Sequence, residues 1–571
     1  MPLLRNRKID LLLAAALSVI GLLGASALVW AGVGHVDTRI TDNSFNDWEP
    51  QISGNNVVWS GNTGEIYFYN GSTTSALTAN SFVEFNPQIS GNKAVWAGNG
   101  GPASSKEIYL YNGSTVTTLT VNSYNDVSPQ ISGNNIVWEG WNGPGGTPEI
   151  YLLDGADTTA LTANAWFDEN PQISGNNIVW QGAGGPAGTN EIYFYNGTSS
   201  TVTTLTANGL DDVDPQISGN NAVWYGTENT SWTSGIYFYN GTSSTVTTLT
   251  AGSYAYAPQI SGNNVVWQDD NGPGNTSEIY FYNGSTTMAL TNNSFDDDAP
   301  QISGNKVVWY GGDWTTGGRE IYFFNGSTVT TITANSYNDV NPQIYGDTIV
   351  WQGAAGPGDS YEIFKAQIDE GLPSDPVVTG AWPAKDVWTN NNVVLVNFSG
   401  AADASTGVDG FSIEWSGSPS TVADAVKDRE ESAGSALSPA LADGDRWFHL
   451  RTRDNAGNWT STIHYGPFKI DAAKPTGSVK SPAKVKTAAK TARVRVSWSG
   501  SDSGSGVKTY DVGYRIGKRG RWKSWKTGAT ALRARFTAKT GKIYYFRARA
   551  KDAAGNTGAW SLVRRTVVRA L

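Results

Sequence analysis

The side chains that most often do chemistry are scarce in this chain, and where they occur they recur in series. There is no cysteine among the 571 residues, which excludes disulfides, thiolate metal sites and a cysteine nucleophile. Three histidines, His35, His449 and His464, are too few for a histidine-rich metal centre and leave little for a His-based triad. No G-x-S-x-G elbow, H-E-x-x-H pair or Walker-type loop is present. The carboxylates come in two sets. Glu65, Glu107, Glu149, Glu191, Glu278, Glu320 and Glu362 each open a segment like E-I-Y-F-Y-N-G, and Gly235 takes that place once. Acid–base catalysis needs two carboxyl groups whose surroundings push their pKa values apart. Seven equivalent glutamates do not supply that, and they read as turn and strand-end partners. The second set precedes each P-Q-I-S: Asp47, Glu84, Asp126, Asp168, Asp211–Asp212, Asp296–Asp298 and Asp339. Acidic, Asn-rich segments suit Ca²⁺, which takes oxygen ligands. Asp126, Asp168, Asp212, Asp297 and Asp339 are therefore the candidate calcium ligands. No D-x-D-x-D-G loop supports them, and a solvated acidic rim is the alternative.

The elements that must position these residues are repeats. P-Q-I-S-G begins at Pro50, Pro87, Pro129, Pro171, Pro215, Pro258 and Pro300, and Pro342 opens the variant P-Q-I-Y-G. Each copy continues through a V-V-W-like segment, the E-I-Y-F-Y-N-G segment and T-x-x-L-T. These are four short stretches separated by Gly-Asn, Gly-Pro and Asn-Gly turns, with no helical period. Four strands in a period of about 42 residues are the mark of a propeller blade. The last copy stops after its third strand. Thr38–Ser44 matches Thr330–Ser336 and supplies the missing fourth strand from the N-terminal side, which would remove the open edge. The expected fold is all-β: an eight-bladed β-propeller over residues 36–368.

The tryptophans that recur once per copy, such as Trp59, Trp138 and Trp351, are expected to pack between neighbouring sheets rather than to line a sugar site. The recurring glutamines, such as Gln51 and Gln130, fall on the face opposite Pro and Ile and are expected to ring a channel. Trp141, Trp232 and Trp314 differ in kind. They lie in variable second-to-third-strand loops among Gly, Asn and Thr, where an aromatic ring can stack on a sugar or anchor a partner, or serve as a half-buried lid.

The P-x-I-S-G-N-x-V-V-W and E-I-Y-F-Y-N-G segments resemble the propeller repeats of TolB-like and surface-layer proteins, over about residues 36–368. TolB-like propellers commonly have six blades, so eight is a departure. The resemblance implies a binding platform more often than a catalyst. Residues 374–471 and 472–571 alternate as strands of β-sandwiches do, and each ends in a D-x-A-G-N turn (Asp454–Asn458, Asp552–Asn556). They resemble the immunoglobulin-like and fibronectin type III-like modules of secreted bacterial proteins, which implies spacers or adhesive stalks.

Charge separates the modules. Residues 33–370 carry 6 basic and 33 acidic side chains, whereas residues 472–571 carry 24 basic and 3 acidic. Arg493, Arg495, Arg533, Arg535, Arg547, Arg549 and Lys551 alternate with apolar residues and so are expected to share outward faces. Arg547, Arg549 and Lys551 are the candidate ligand-binding cations, facing an anionic wall or surface polymer. At the N-terminus, Arg5, Arg7 and Lys8 precede an uncharged apolar run, Leu11–Trp30. Residues 1–32 read as a cleaved signal peptide or a retained hydrophobic anchor helix, and both readings export the remainder.

The expected function is that of an exported cell-surface or secreted binding and adhesion protein. Its propeller would be a platform for a glycan or a protein, and its basic last domain would attach to an anionic polymer. Two alternatives stand beside it. One is an extracellular polysaccharide lyase or hydrolase using Asp or Glu of the loop face; the other is a structural surface-layer or stalk component. Calcium is the one cofactor considered. Nucleic acid is not the expected partner, and membrane contact is expected through the N-terminal segment alone.

Overall fold

The computed structural model describes residues 34–571 except 63, 156, 228–232, 313–317 and 357–359, so the N-terminal segment 1–32 lies outside the described residues. No helix among the described residues is long and apolar enough to cross a membrane. The chain is all-β, with two 3₁₀ turns, Pro102–Ser104 and Pro186–Gly188, as the helical elements described. It divides into two units, one holding Asp37–Ile368 and the other Gly34–Val36 with Asp369–Leu571.

In the first unit each sequence repeat forms one four-stranded antiparallel sheet, as in a β-propeller, and eight such sheets are found among the described residues. The third repeat is typical, with strands Asp126–Ser132, Asn135–Gly140, Glu149–Asp154 and Thr158–Ala160 in that order. Ser132 pairs with Asn135 across Gly133, whose φ of 64° suits a residue without Cβ. The first strand is bulged: its register slips between Val127 and Gln130, and Ser128 before the proline has φ 53°. One sheet cannot bury both faces, so neighbours share cores. Val95, Ala97 and Ile108 pack with Ile136 and Trp138, and Val137, Ile150 and Leu152 with Ile178 and Trp180. The repeated tryptophans sit in these shared cores at no more than 3% exposure.

The final repeat takes its fourth strand, ending at Arg39, from the N-terminal side of the chain. The Ile40 N–H donates to the Ile363 carbonyl at 2.8 Å, and the Ile363 N–H donates to Thr41 Oγ1 at 2.9 Å. The second bond copies that of Ile66 to Thr78 and of Ile321 to Thr333 within single repeats. Val57 and Trp59 of the first repeat share a core with Val350 and Ile363 of the last.

One buried contact recurs through this unit. Trp138 Nε1 donates to Asp126 Oδ1 at 3.1 Å, and Trp59, Trp180, Trp224, Trp309 and Trp351 donate to Asp47, Asp168, Asp212, Asp297 and Asp339 at 3.0 Å. A glycine stands opposite each aspartate in register, as Gly140 does to Asp126. A Cβ on Gly140 would lie 2.9 Å from Asp126 Oδ1 and 2.8 Å from the Tyr151 ring, so the pairing itself requires glycine. The second repeat has Glu84 in the aspartate's place. The sixth exchanges the two positions: Ala255 faces Asp269, and Trp267 Nε1 is buried with no partner.

In the second unit, residues 374–471 and 472–571 repeat one plan. Each has a three-stranded sheet and a five-stranded sheet whose edge strand, Trp388–Thr389 or Lys484–Thr487, pairs in parallel. In each module the two sheets contribute to one core, around Phe398, Phe411 and Phe448 in the first and Val494, Phe536 and Phe546 in the second.

The sixth repeat supplies a test of the tryptophan–aspartate contact. The double variant Ala255→Asp/Asp269→Gly should restore the bond to Trp267 and be more stable, by about 1 kcal/mol, than the sum of the two single changes predicts. Asp269→Gly alone should not restore it, because it leaves the indole unpaired. Ala255→Asp alone should destabilise by setting two carboxylates opposite each other. Denaturant unfolding of the four chains reads the coupling directly.

Candidate functional site

The buried aspartates are the inner end of a relay that reaches the surface. Asp126 Oδ2 accepts Asn122 Nδ2 at 2.6 Å, and Asn122 Oδ1 accepts the N–H of Tyr124 at 2.7 Å. The Asn122 N–H in turn donates to Glu107 Oε1 at 3.3 Å, which makes the strand-opening glutamate a local partner of the turn. The same turn, closed by an Asn side chain, holds Phe45, Phe82, Trp166, Leu210, Phe295 and Tyr337. Tyr254 takes this place in the sixth repeat, which has no such asparagine. The seven aromatic members are 44–55% exposed, and Leu210 is half-buried. Large apolar side chains that recur at one exposed position, seven of them on a turn closed by an asparagine, form an apolar rim.

Clefts open beside these rings. One of about 370 Å³ is lined by Phe45, Asp47, Trp59 and Tyr67, and one of about 290 Å³ by Asn164, Trp166, Asp168, Trp180 and Tyr193. Trp59 and Tyr67 stack at 5.8 Å between ring centres, and Trp180 and Tyr193 at 5.7 Å. Aromatic walls with a few polar groups suit small-ligand recognition. Trp141 belongs to the same surface: 38% exposed, it meets Phe167 edge-on at 6.3 Å, next in sequence to Trp166. Trp232 and Trp314 lie outside the described residues.

The five expected calcium ligands are not brought together. Asp126, Asp168, Asp212, Asp297 and Asp339 occur one per repeat, at strand starts rather than in loops, and none is more than 4% exposed. Each has one oxygen on an indole and the other on an asparagine amide. Burial pushes all five carboxyls up, Asp168 and Asp212 to about 6 and Asp297 to about 7. Acidic though these segments are, they do not form a solvated rim at these positions.

The recurring glutamines Gln51, Gln88, Gln130 and Gln172 line a common cleft of about 320 Å³. Near its edge, a second-strand position bonds four of the sheets to the next. The bulged-strand N–H groups of Glu49, Asp214 and Ala299 donate to Gln352, Gln181 and Gln268 at 2.9–3.0 Å. Glu139 fills this place once, accepting the Asn170 N–H at 2.8 Å. Burial raises its carboxyl to about 7, and burial raises Glu169 as well.

In residues 472–571 the expected cations part onto two sheets. The three-stranded sheet exposes Lys480, Arg493, Arg495, Arg533, Arg535 and Lys539, and its strands hold no acid. Arg495 pairs directly with Arg535 in register, a like-charge juxtaposition that an anion would relieve. On the five-stranded sheet the three candidate cations are already engaged. Arg549 and Lys551 pair with Asp511 at 3.0 and 3.5 Å. Arg547 lies between Trp522 and Trp560, at 4.2 and 4.1 Å from their ring centres. A cleft of about 200 Å³ runs along Trp522, Arg547, Arg549 and Trp560. Alternation gave the outward parity of these residues correctly but joined two different faces.

No protein-family model matches the chain, and no curated protein matches it. Solved structures with a similar fold include the β-propeller domain of the trilobed protease of Pyrococcus furiosus, at 12% identity, covering 51% of this chain and 94% of that one, with a TM-score of 0.38. TolB of Acinetobacter baumannii is 17% identical, with 43% and 60% of the two chains covered and a TM-score of 0.28. Oligogalacturonate lyase of Vibrio parahaemolyticus is 11% identical, with 60% and 99% covered and a TM-score of 0.38. At these identities the likeness is one of fold alone.

The raised carboxyls fix a pH dependence. Between about pH 4.5 and 7 the folded chain holds a proton on Glu139 that the unfolded chain has released. Stability therefore falls as pH rises through this window. Asp168, Asp212 and Asp297 act with the same sign. Glu139→Gln keeps the acceptor and removes the charge. It should stabilise the chain at pH 8 by on the order of 2 kcal/mol and leave it nearly unchanged at pH 4. Denaturant midpoints at the two pH values measure both effects.

Proposed function

We propose that this is an exported, non-enzymatic glycan-binding protein of the cell surface or extracellular space. In this reading the eight four-stranded sheets close into an eight-bladed propeller of the TolB-like kind. Residues 374–471 and 472–571 are immunoglobulin- or fibronectin type III-like sandwiches, and the segment 1–32 directs export. The aromatic rim is the glycan-binding surface, and the observation that carries the proposal is its construction. Seven exposed rings recur at one position; five sit on a turn tied through Asn and Asp to a buried tryptophan, and Phe82 and Tyr254 lack that tie. Such rings are pre-organised, so stacking on a sugar face costs little ordering. Repetition suits an extended polysaccharide, which can engage several rings at once.

The last module is read as the attachment domain for an anionic surface polymer. Its three-stranded sheet supports this with six exposed cations and no acid. A lyase or hydrolase is the weaker reading, because Glu139 accepts a bulged-strand N–H just as the glutamines of other repeats do.

Two sets of variants test the two surfaces separately. Trp166→Ala and Phe45→Ala should each weaken retention on insoluble neutral polysaccharide by roughly tenfold, with unchanged unfolding midpoints. Arg495→Ser/Arg535→Ser should leave that retention intact. It should lower the salt needed to elute the chain from an anionic polysaccharide such as polygalacturonate. Equal retention of wild type and both aromatic variants on every polysaccharide tried would refute the rim's role.

A further inference from the structure

We propose that Asp471, Asp502 and Asp552 form a calcium site in the second unit, distinct from the surfaces above. The three residues come from separate segments. Asp471 follows the strand Ile463–Ile470, Asp502 lies in the S-D-S-G-S-G loop after Thr491–Ser501, and Asp552 ends the strand Ile543–Asp552. One carboxylate oxygen from each lies within 4.8 Å of the other two. Two oxygens bound at about 2.4 Å to one Ca²⁺ can stand at most about 4.8 Å apart, so the spacing fits a single ion. Every donor is an oxygen, which suits a hard cation rather than zinc or copper.

Charge alone makes the cluster anomalous. Residues 472–571 hold 24 basic side chains and 3 acidic ones, and Asp502 and Asp552 are two of the three. The third, Asp511, is paired with Arg549 and Lys551. Among the described residues no lysine or arginine is paired with Asp471, Asp502 or Asp552, although Asp471 is fully buried and Asp552 is 3% exposed. Gathered carboxylates in a buried setting repel one another unless a cation lies among them.

The hydrogen bonds leave room for that cation. Asp552 Oδ1 accepts the N–H groups of Gly555 and Asn556 at 2.7 Å, which accounts for the D-A-A-G-N turn. Asp552 Oδ2 is buried and has no partner, so turn capping does not explain it. With Oδ1 held by the turn, Oδ2 is the oxygen left to serve the cluster. Asp502 spends Oδ2 on the N–H groups of Gly504 and Gly506. The loop is pressed onto Asp471: the Ser505 N–H donates to its Oδ2 at 2.7 Å, and a Cβ on Gly504 would lie 2.5 Å from its Cγ; the Ala473 N–H donates to its Oδ1 at 3.2 Å, and a carboxylate oxygen that accepts one N–H keeps a lone pair for a metal. Asn556 Nδ2 donates to the Asp471 carbonyl at 2.7 Å and fixes the segment from the other side. The preceding module repeats the gathering with Asp369, Asp403 and Asp454. There both oxygens of Asp454, the counterpart of Asp552, are taken by Asn458 and no buried oxygen is left without a partner, so the proposal is confined to the second cluster.

The experiment is calcium titration of the full chain after chelator treatment, by calorimetry and thermal unfolding, for wild type, Asp552→Asn and Asp502→Asn. Asp552→Asn keeps the acceptor that caps the turn, and Asp502 is only half-buried, so at least one variant folds. Wild type should take up calcium and melt higher in 1 mM CaCl₂ than in chelator. Each variant should bind one equivalent fewer. In chelator each should melt no lower than wild type, because a repelling charge is gone, and in calcium it should melt lower. The proposal is overturned if wild type takes up no calcium at millimolar concentration, or if the folded variants bind as much as wild type.

Discussion

The repeat unit depends on burying a carboxylate beside an indole. A buried aspartate is costly unless its oxygens are satisfied, and here Trp Nε1 takes one and Asn Nδ2 the other. Three features of the sequence follow from that bond. The residue opposite in register is glycine, because the carboxylate occupies the space of a Cβ. The asparagine four residues before the aspartate is fixed, because its amide completes the pairing. The residue two after that asparagine is held outward, because its N–H closes the turn. Core packing and the exposed rim are thus two ends of one hydrogen-bonded chain.

The same bond sets the unit's electrostatics. Burial raises these carboxyls, and their neutral partners offset the shift only in part, so the fold is favoured on the acid side of neutrality. The last module handles charge in the opposite way. On one sheet its arginines stack on tryptophans and pair with Asp511, and on the other they stand unpaired with one another in register. The two faces therefore differ in what they offer an anion: Arg547, Arg549 and Lys551 are already engaged on the first, whereas Arg495 and Arg535 face each other on the second.

Much of this arrangement was legible in the sequence, because a 42-residue period with Gly-Asn and Asn-Gly turns constrains strands strongly. The four strands per repeat, the contribution of Thr38–Ser44 to the last sheet and the packing of the tryptophans all follow from pattern. The aspartates were misread for a physical reason. In composition, an acid among Asn, Ser and Asp looks solvated, and only the register with glycine reveals that Asp126 or Asp297 points inward. The rim was missed because attention fell on loops that vary, whereas the signal was a constant one: Asn, a small residue, then Phe, Tyr or Trp. For Arg493 and Arg547, alternation gives the side of a strand but not the sheet to which the strand belongs.

The sixth repeat separates what the bond contributes from what the period contributes. Its strands, its bulge and its buried tryptophan are intact although Ala255 and Asp269 have exchanged roles. Strand formation and inter-sheet burial therefore do not need the carboxylate. What the sixth repeat lacks is the asparagine-closed turn, and Tyr254 is exposed there without it, its N–H reaching Asp269 at 3.4 Å instead. The bond is thus dispensable for folding one sheet, and in five of the repeats it ties to the interior the turn that carries a surface ring.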